Sequence, residues 1–329
     1  MIKNLDKEEK FYANKNFAFS YSSLNKLLFS PWLFYKDYIL QDRDIKTDKH
    51  LVEGKLVHCL VFEPENLTKK FNVVPGKSPT DNVRKVLKNI AMHTTATKLE
   101  DVKDSIILDS LKDMNLYQSL KADEARIAKV KTLDNEPYWK FLHNSSVDVI
   151  NQDTLLDCTV KAEVIRSNKE VMSLFKNEET DFDLDPVTTY AEKYIKSNLE
   201  KFTFGLHGYV DYYTVDAESK TVVICDLKTS GKTVDKFSES VDFYNYWLQA
   251  SIYSKMVYDS LGDDRDEYTI IFKFIVIDKY NQVYVYDVSQ ESMGNWAEGL
   301  NNVLKIAEYH YTKRDYSLPY ELLVKKVKL

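Results

Sequence analysis

Two runs of apolar, mostly β-branched residues lie near the middle of the chain, at Phe204–Asp211 and Val222–Ser230. The polar segment Asp216–Lys220 lies between them. Strand-like runs separated by a short polar segment predict a β-hairpin. The continuous run Val222–Cys225 favours a strand covered on both faces, and the alternative is a half-exposed hairpin with a row of solvated charges.

The charged residues of this hairpin are the strongest candidates for chemistry. A turn centred between Glu218 and Ser219 would place Asp211 directly opposite Asp226, with about 5 Å between their Cβ atoms. Like charges at that distance are destabilising, and a divalent cation between them would remove the cost. Because side chains alternate along a strand, Lys228 shares the face of Asp226. The pattern predicts a metal-dependent phosphodiesterase site, and a structural ion-pair network is the alternative.

The N-terminal part is predicted to begin as a loose, polar segment over residues 1–18. A helix follows, with Ser22 or Ser23 as its N-cap and leucines at helical spacing behind them. Pro31 either ends this helix or begins the next one. A serine at a helix N-terminus can also bind phosphate, although a capped core helix is the simpler interpretation.

A second helix is predicted between His50 and Pro64. Gly54 and His58 are four residues apart, so they share one face of this helix. The glycine would let another backbone or a substrate approach the imidazole ring, and a histidine packed in the core is the alternative. The positions predicted to face inward are Leu51, Leu56, Cys59, Leu60 and Phe62.

The middle of the chain is predicted to be mostly helical over residues 81–176, after a loop at 66–80. A basic run occurs in it, and both a solvated helix face and a DNA-tracking surface are open interpretations. The basic residues are Lys121, Arg126, Lys129 and Lys131. An acidic break at Asp181–Pro186 leads to a predicted strand over residues 188–196.

The hairpin is followed by a predicted polar loop at 231–240 and a helix at 241–260. Gln249 and Tyr253 lie one turn apart on this helix, where an amide and a phenol can bind phosphate or orient Lys228. The positions predicted to face inward are Phe243, Trp247, Ala250 and Val257. An ordinary amphipathic helix is the alternative interpretation.

Three further elements complete the predicted architecture. Strands are expected at Tyr268–Ile277 and Gln282–Val288, and the last helix is expected from Ser289 to His310. A lysine-rich tail closes the chain. The order of helices and strands predicts a mixed α/β core decorated by helices.

The composition of the chain argues against several classes of protein. The 329 residues carry a net charge of −6, which counts against a protein that coats DNA with basic charge over its whole surface. No segment approaches the ~18 uncharged apolar residues of a membrane span, so no membrane partner is expected, and the N-terminus lacks the apolar core of a signal peptide. Cys59, Cys158 and Cys225 lack CxxC spacing, so we expect buried thiols in a reducing cytosol.

Four short motifs follow one another along the predicted helix, strand, strand and helix. They are Gly54-x-x-x-His58, Gly208-x-x-Asp211, Asp226-x-Lys228 and Gln249-x-x-x-Tyr253. Together with Phe19–Leu24, Val57–Glu65 and Tyr246–Tyr253, these motifs resemble the RecB-like branch of the PD-(D/E)XK nuclease superfamily. Within that branch the chain is most similar to the RecE-type phage exonucleases. The resemblance covers about residues 19–75 and 188–310.

The resemblance implies an α/β fold of the restriction-endonuclease type, with a mixed central sheet flanked by helices. It also implies a single nuclease domain over residues 1–329. The core would consist of residues 19–75 and 188–310, with a mainly helical insertion at 76–187 and a tail at 311–329.

By the same resemblance, His58, Asp211 and Asp226 would be the metal ligands, joined by the carbonyl oxygen of Leu227. Lys228 would be the catalytic lysine that positions or deprotonates the attacking water. Mg²⁺ prefers oxygen ligands and keeps several waters, and one histidine beside two carboxylates also suits Mn²⁺.

Further residues would assist this site if the resemblance holds. Gln249 and Tyr253 would support the lysine and contact DNA, and Ser20 and Ser22 would lie near the phosphate of the DNA end. Glu192 would add an acid behind the ligands.

The chain departs from some relatives in two respects. Ser30 stands before the proline where relatives with an iron–sulfur cluster have a cysteine, so no such cluster is expected. The sequence holds no helicase motif and no Walker loop, so the nuclease would act alone or beside a separate partner.

The expected activity is degradation of one strand of linear double-stranded DNA, from 5′ to 3′, in phage-type recombination, replication or repair. Relatives suggest a homo-oligomeric ring and a single-strand annealing recombinase as partner. The alternatives are a single-strand or flap nuclease on the same site, a non-catalytic DNA-binding subunit, and a structural α/β protein without activity.

Overall fold

The computed structural model describes residues 2–43, 48–77, 79–143, 148–175 and 187–325. The helices are α1 (Ile2–Ala13), α2 (Tyr21–Phe29), α3 (Pro31–Phe34), α4 (Lys49–Phe62), α5 (Leu67–Lys70), α6 (Asp81–Met92), α7 (Asp104–Asp113), α8 (Asp123–Val130), α9 (Glu136–His143), α10 (Gln152–Ser167), α11 (Lys169–Leu174), α12 (Phe237–Phe243), α13 (Tyr246–Ser260), α14 (Gln290–Lys313) and α15 (Tyr320–Val324). The strands are β1 (Ala18–Phe19), β2 (Phe71–Val73), β3 (Asp148–Ile150), β4 (Val187–Asn198), β5 (Gly205–Asp216), β6 (Thr221–Ser230), β7 (Thr269–Asp278) and β8 (Val283–Asp287). The predicted acidic break at Asp181–Pro186 lies outside the described residues.

The chain forms two compact units. One consists of Met1–Thr47 together with Glu163–Leu329, and the other consists of Asp48–Ala162. The predicted hairpin and its sheet belong to the first unit. The single nuclease domain and its core and insertion boundaries stay predictions.

A six-stranded mixed sheet forms the centre of the first unit. Strands β1, β5, β6, β7 and β8 follow one another across it, and β4 also pairs with β5. Strand β5 is antiparallel to β4 and β6, whereas β6 is parallel to β7. Helix α13 packs against β4 to β7, and α2 and α14 pack against α13. The predicted fold class, α/β with a mixed central sheet flanked by helices, is confirmed.

The hairpin of β5 and β6 has the register that the sequence predicts. Val215 pairs with Val222, and Asp216 pairs with Thr221 at the turn. Strand β6 lies between β5 and β7, and four of its apolar residues are at most 1% exposed. They are Val222, Ile224, Cys225 and Leu227, and Val223 is half-buried. The strand is therefore covered on both faces, as its continuous apolar run predicts.

The core of the first unit lies between the sheet and α13. Leu248, Ile252 and Met256 of α13 and Phe272 of β7 are fully buried within it. Each such side chain contributes about 1.5–3 kcal/mol relative to exposure, which offsets the conformational entropy lost on ordering the chain. Because of this packing, α13 and β5 to β7 hold the polar residues that they carry in fixed positions.

The N-terminal segment is helical, so the predicted loose lead-in was wrong. The ammonium of Lys7 in α1 donates to the carbonyl oxygen of Leu40 at 2.7 Å. The hydroxyl groups of Tyr12 and Tyr316 lie 2.8 Å apart. These partners are distant in sequence, and a local pattern of polar residues gives no sign of them.

Helix α2 begins at a different cap from the predicted one. Its N-cap is Ser20, whose hydroxyl oxygen accepts the backbone N–H of Ser23 at 3.2 Å, and the Ser23 hydroxyl oxygen accepts the N–H of Ser20 at 2.8 Å. This reciprocal capping box fixes the start of the helix, so the predicted caps Ser22 and Ser23 were wrong. Pro31 begins α3 behind the N-cap Ser30.

The second unit is mainly helical, as predicted for residues 81–176. Its core lies among α6, α7, α8 and α9 and includes the fully buried Trp139. The predicted loop at 66–80 was wrong in part, because it contains α5 and β2. Strand β2 pairs in parallel with β3, with Phe71 opposite Asp148, and that distant partner is what makes the segment a strand.

The inward face of α4 differs from the predicted one by part of a turn. Leu56 and Cys59 are buried, and Val57 and Val61 are buried with them. Leu51 was expected to face inward, but it lies in the first turn and is 65% exposed. Leu60 and Phe62 are half-buried.

The helix predicted over 241–260 is divided in two. Asn245 has a left-handed backbone, with φ 56°, and separates α12 from α13. Helix α12 begins inside the segment predicted to be a loop at 231–240, so that prediction was wrong in part. Phe243 was expected to face inward but is 76% exposed, because the break turns it away from the stripe that continues on α13.

The C-terminal elements follow the prediction closely. Strands β7 and β8 occupy the expected segments, and α14 begins behind its N-cap Ser289 and ends three residues beyond His310. The cysteines Cys59, Cys158 and Cys225 are buried, and within the described residues none of them forms a disulfide. Within the described residues, every helix is too short or too polar to cross a membrane.

Candidate active site

Strands β5 and β6 separate at Asp211. The last pair of their ladder is Tyr212 with Cys225, so the same register would set Asp211 opposite Asp226 at the next position. The Asp211 carboxylate accepts the backbone N–H of Leu227 at 2.8 Å, which takes the place of a ladder hydrogen bond. Asp211 is 6% exposed and Asp226 is fully buried. The opening in the hairpin therefore holds two carboxylates inside the sheet.

Glu192 lies opposite Asp211 on the neighbouring strand β4. The residues on either side of Glu192 pair with those on either side of Asp211, but the ladder is interrupted at this position. Glu192 has a left-handed backbone, with φ 46°, and such a conformation costs on the order of 1–3 kcal/mol for a residue with a side chain. Glu192, Asp211 and Asp226 thus form one row across β4, β5 and β6, which we call the acid row.

Two carboxylates of the acid row are close enough to share one metal ion. Glu192 and Asp211 each offer one oxygen as a ligand, and these atoms lie within 4.8 Å of each other. Carboxylate oxygens suit Mg²⁺. His58 lies on α4, and its role as a metal ligand stays a prediction. A cation would also relieve the repulsion between the carboxylates of the acid row.

Lys228 and Asp226 lie on the same face of β6, as predicted. Their side chains form an ion pair and are 12% and 0% exposed. The ammonium nitrogen also lies 4.8 Å from the centre of the Tyr246 ring, within range of a cation–π contact. Burial by itself lowers the pKa of Lys228, but the carboxylates of Asp226 and Asp211 outweigh burial and raise the pKa above its ordinary value. The side chain is therefore an ammonium at neutral pH.

Gln249 and Tyr253 lie on one face of α13, as predicted, and form a hydrogen bond with each other. The side-chain amide of Gln249 donates to the hydroxyl oxygen of Tyr253 at 2.8 Å, and both residues are 8% exposed. Burial raises the pKa of Tyr253 well above its ordinary value, and the carboxylates of Asp211 and Asp226 raise it further. Tyr253 is therefore a neutral phenol close to the acid row.

Gly208 has a packing role that explains its position three residues before Asp211. A Cβ atom at Gly208 would lie 3.3 Å from the terminal methyl of Met256 and 3.4 Å from the ring of Tyr253. Because these distances are tighter than ordinary contacts, the glycine lets α13 approach β5 closely. It thereby keeps Tyr253 beside the acid row.

Two tyrosines at the site were not predicted from the sequence. Burial raises the pKa of Tyr21, and nearby Tyr246 and Asp226 raise it further. Burial also raises the pKa of Tyr246, and the ammonium of Lys228 offsets part of this effect. Both residues lie in stretches that carry the family resemblance, Phe19–Leu24 and Tyr246–Tyr253, which was the available signal.

The remaining predicted site residues have structural contacts of their own. The Ser20 hydroxyl is engaged in the capping box of α2, and Ser22 is exposed in the first turn of that helix. Leu227 is fully buried, and its N–H is bound by Asp211. The roles of Ser20 and Ser22 toward DNA, and of the Leu227 carbonyl toward a metal, stay predictions.

The basic run in the second unit is partly neutralised by neighbouring acids. Arg126 forms an ion pair with Asp123 at 2.8 Å, and Lys131 forms one with Asp104 at the same distance. These contacts favour a solvated helix face over a DNA-tracking surface.

A cavity of about 910 Å³ lies apart from the acid row. Helix α13 lines it with Ser251, Ser254, Lys255 and Tyr258. With 3.6 residues per turn, these positions are on the opposite face of α13 from Gln249 and Tyr253. The chemistry of the acid row therefore does not depend on this cavity.

No protein-family model matches the chain, and no curated protein matches it. Among solved structures, the crystal structure of a protein named "Putative exonuclease" from Eubacterium rectale has 10% sequence identity and a TM-score of 0.47. That match covers 97% of this chain and 92% of the other. The structure of a protein named SSO0001 has 11% identity and a TM-score of 0.23, covering 84% of this chain and 96% of the other. Scores this low leave the acid row and its surroundings as the grounds for assigning a function.

Proposed function

We propose that this protein is a metal-dependent exodeoxyribonuclease that hydrolyses phosphodiester bonds of linear double-stranded DNA. The observation that carries the proposal is the buried arrangement of Asp211, Asp226 and Lys228 where the hairpin opens. Two carboxylates and an ammonium at such a position favour a cation and a phosphate as their ligands. The motifs that resemble RecE-type exonucleases support the same assignment.

In this proposal His58, Asp211 and Asp226 hold the ion, with the Leu227 carbonyl as a further ligand. Glu192 would join them, since its carboxylate lies within 4.8 Å of that of Asp211. When bound, Mg²⁺ or Mn²⁺ polarises the scissile phosphate and lowers the pKa of a coordinated water.

Lys228 acts on the charge that develops during hydrolysis. Its ammonium lies beside Asp226, where it would stabilise negative charge on the phosphate and position the attacking water. Asp226 and the Tyr246 ring both contact the ammonium and hold it in place. Preorganised charge of this kind typically accounts for about 10² to 10³ in rate.

Gln249 and Tyr253 complete the proposed site. Their mutual hydrogen bond holds the phenol beside the carboxylates, where it supports the position of Lys228 and contacts the DNA. Ser20 and Ser22 would lie near the phosphate of the DNA end.

The biological setting follows from the resemblance alone. We place the protein in the cytoplasm, in phage-type recombination, replication or repair, with degradation from 5′ to 3′. A homo-oligomeric ring and a single-strand annealing recombinase are the proposed partners.

The test is digestion of end-labelled linear duplex and of covalently closed circular DNA, with Mg²⁺, Mn²⁺ or EDTA. We expect only the linear DNA to be lost, only with metal, and the position of the label gives the polarity. Lys228→Met should reduce the rate of hydrolysis about 10² to 10³-fold. Lys255→Met should leave the rate unchanged, because Lys255 lies on the face of α13 opposite to Gln249 and Tyr253. A folded protein that binds DNA but cleaves no substrate would replace this proposal with a non-catalytic DNA-binding subunit.

A further inference from the structure

A series of aromatic rings connects the surface with Lys228. Phe243 is 76% exposed and Tyr244 is 49% exposed. Their ring centres are 4.8 Å apart, and the centres of Tyr244 and Tyr246 are 5.4 Å apart. The Tyr246 ring in turn lies 4.8 Å from the ammonium of Lys228. We call Phe243, Tyr244 and Tyr246 the aromatic series.

The turn that carries the aromatic series is fixed by hydrogen bonds. The side-chain amide of Asn245 donates to the side-chain oxygen of Asn25 at 2.8 Å. The backbone carbonyl oxygen of Tyr244 accepts from the Tyr21 hydroxyl and, at 3.3 Å, from the Asn25 amide. Trp247 donates its indole N–H to Asn245 at 3.1 Å. The outward position of the rings is therefore set by the fold.

We propose that the aromatic series binds unpaired bases of a DNA strand whose backbone enters beside Lys228. This rests on the proposed function and specifies how that site receives its substrate. Stacking of a base on an aromatic ring contributes about 1–3 kcal/mol and tolerates any sequence, because every base has a π-face. Bases inside a duplex have their faces covered by neighbours, so only unpaired or terminal bases can stack in this way.

The geometry of the first two rings fits this occupant. The planes of Phe243 and Tyr244 are 89° apart, so a base that stacks on Phe243 would lie nearly perpendicular to the Tyr244 ring. The series continues to Tyr246 and the ammonium that neutralises phosphate charge. An aromatic surface that binds a protein partner would not need to extend inward to a buried lysine.

The test is binding of a dye-labelled, mixed-sequence single-stranded oligonucleotide, followed by fluorescence anisotropy in EDTA so that no cleavage occurs. Phe243→Ala should weaken binding roughly five- to hundred-fold, and Phe243→Trp should retain it. The control is Tyr280→Ala, since Tyr280 is also an exposed aromatic, at 64%, on the turn between β7 and β8. It should bind as the wild type does. Melting temperatures of all variants check that they fold.

Three results would overturn this inference. They are a wild type that does not bind the oligonucleotide, equal binding by Phe243→Ala, and loss of self-association in Phe243→Ala with no loss of DNA binding. The last would make the series an interface between protein copies. Wild-type cleavage of linear duplex in Mg²⁺, measured in parallel, separates the two proposals. If the wild type cleaves DNA and Phe243→Ala binds the oligonucleotide as well as the wild type does, only this inference is wrong. If Phe243→Ala binds more weakly but the wild type cleaves no DNA, only the nuclease assignment is wrong.

Discussion

The Asp211 carboxylate accepts the backbone N–H of Leu227 at the point where β5 leaves β6. This hydrogen bond replaces one of the ladder and lets the hairpin open without leaving a buried N–H unpaired. The opening places Asp211 between Glu192 and Asp226, so three carboxylates share one row of the sheet. The fold tolerates this repulsion at a cost, and a bound cation would remove it.

Asp211→Asn separates the charge of this residue from its hydrogen bond. The amide oxygen of asparagine can still accept the Leu227 N–H, so the fold should be retained. Without metal, the variant should melt at the same temperature as the wild type or higher, because one like charge is gone from the acid row. Adding Mn²⁺ should raise the melting temperature of the wild type and not that of the variant, as measured by differential scanning calorimetry. A variant that melts clearly lower without metal would show that the acid row is not repulsive.

The left-handed backbone of Glu192 can be tested by comparing two substitutions at that position. Alanine suffers in this conformation by about 1–2 kcal/mol, whereas glycine does not. We therefore expect Glu192→Gly to have a free energy of unfolding about 1 kcal/mol above that of Glu192→Ala in urea. At the neighbouring extended position, Ala191→Gly should instead be destabilising by about 0.5–1 kcal/mol. Equal stability of Glu192→Gly and Glu192→Ala would contradict the conformation.

Gly208→Ala should affect activity more than stability. The added methyl group would press on Tyr253 and Met256 by a few tenths of an ångström, displacing the phenol from the acid row. We expect a fall in the rate of DNA hydrolysis of about ten-fold or more, since small misplacements at a reacting centre are costly. Gly231→Ala is the control, because a Cβ at that position meets no atom within 4 Å. If Gly208→Ala hydrolyses DNA at the wild-type rate, the close contact between Gly208 and Tyr253 does not position the phenol for catalysis.

His310 should make stability depend on pH. It is fully buried, and burial lowers its pKa below the ordinary value, although the nearby Asp315 carbonyl partly opposes this. In the unfolded chain the imidazole takes up a proton near pH ~6.5, while in the folded chain it does so only at lower pH. Stability should therefore fall as the pH falls below about 6.5, since the unfolded state binds more protons. Urea unfolding at pH 7.5 and 5.5 should show a smaller difference for His310→Gln than for the wild type, and an equal difference would count against this residue.

The sequence predicts the centre of the fold well, because local patterns decide it. The polar turn and the flanking apolar runs determine the hairpin register, and that register alone brings Asp211 and Asp226 to opposite positions. Alternation then places Lys228 with Asp226. Spacing on one helix likewise predicts that Gln249 and Tyr253 share a face.

Features that depend on distant partners could not be predicted in this way. Helix α1 is held by contacts such as Tyr12 with Tyr316, and β2 becomes a strand only by pairing with β3. The left-handed residues Glu192 and Asn245 are not glycines, so neither the interrupted ladder nor the break before α13 could be predicted from residue type. The exposed position of Phe243 follows directly from that break.

A metal-dependent site built on the acid row is tested by the rate of linear duplex hydrolysis as a function of Mg²⁺ concentration, for the wild type and Asp211→Asn prepared together. The wild-type rate should rise to saturation with Mg²⁺ and vanish in EDTA. The folded variant should be slower by at least about 100-fold at every concentration, because the ion contributes several kcal/mol to the transition state. Hydrolysis by Asp211→Asn at the wild-type rate would contradict a metal-dependent site built on the acid row.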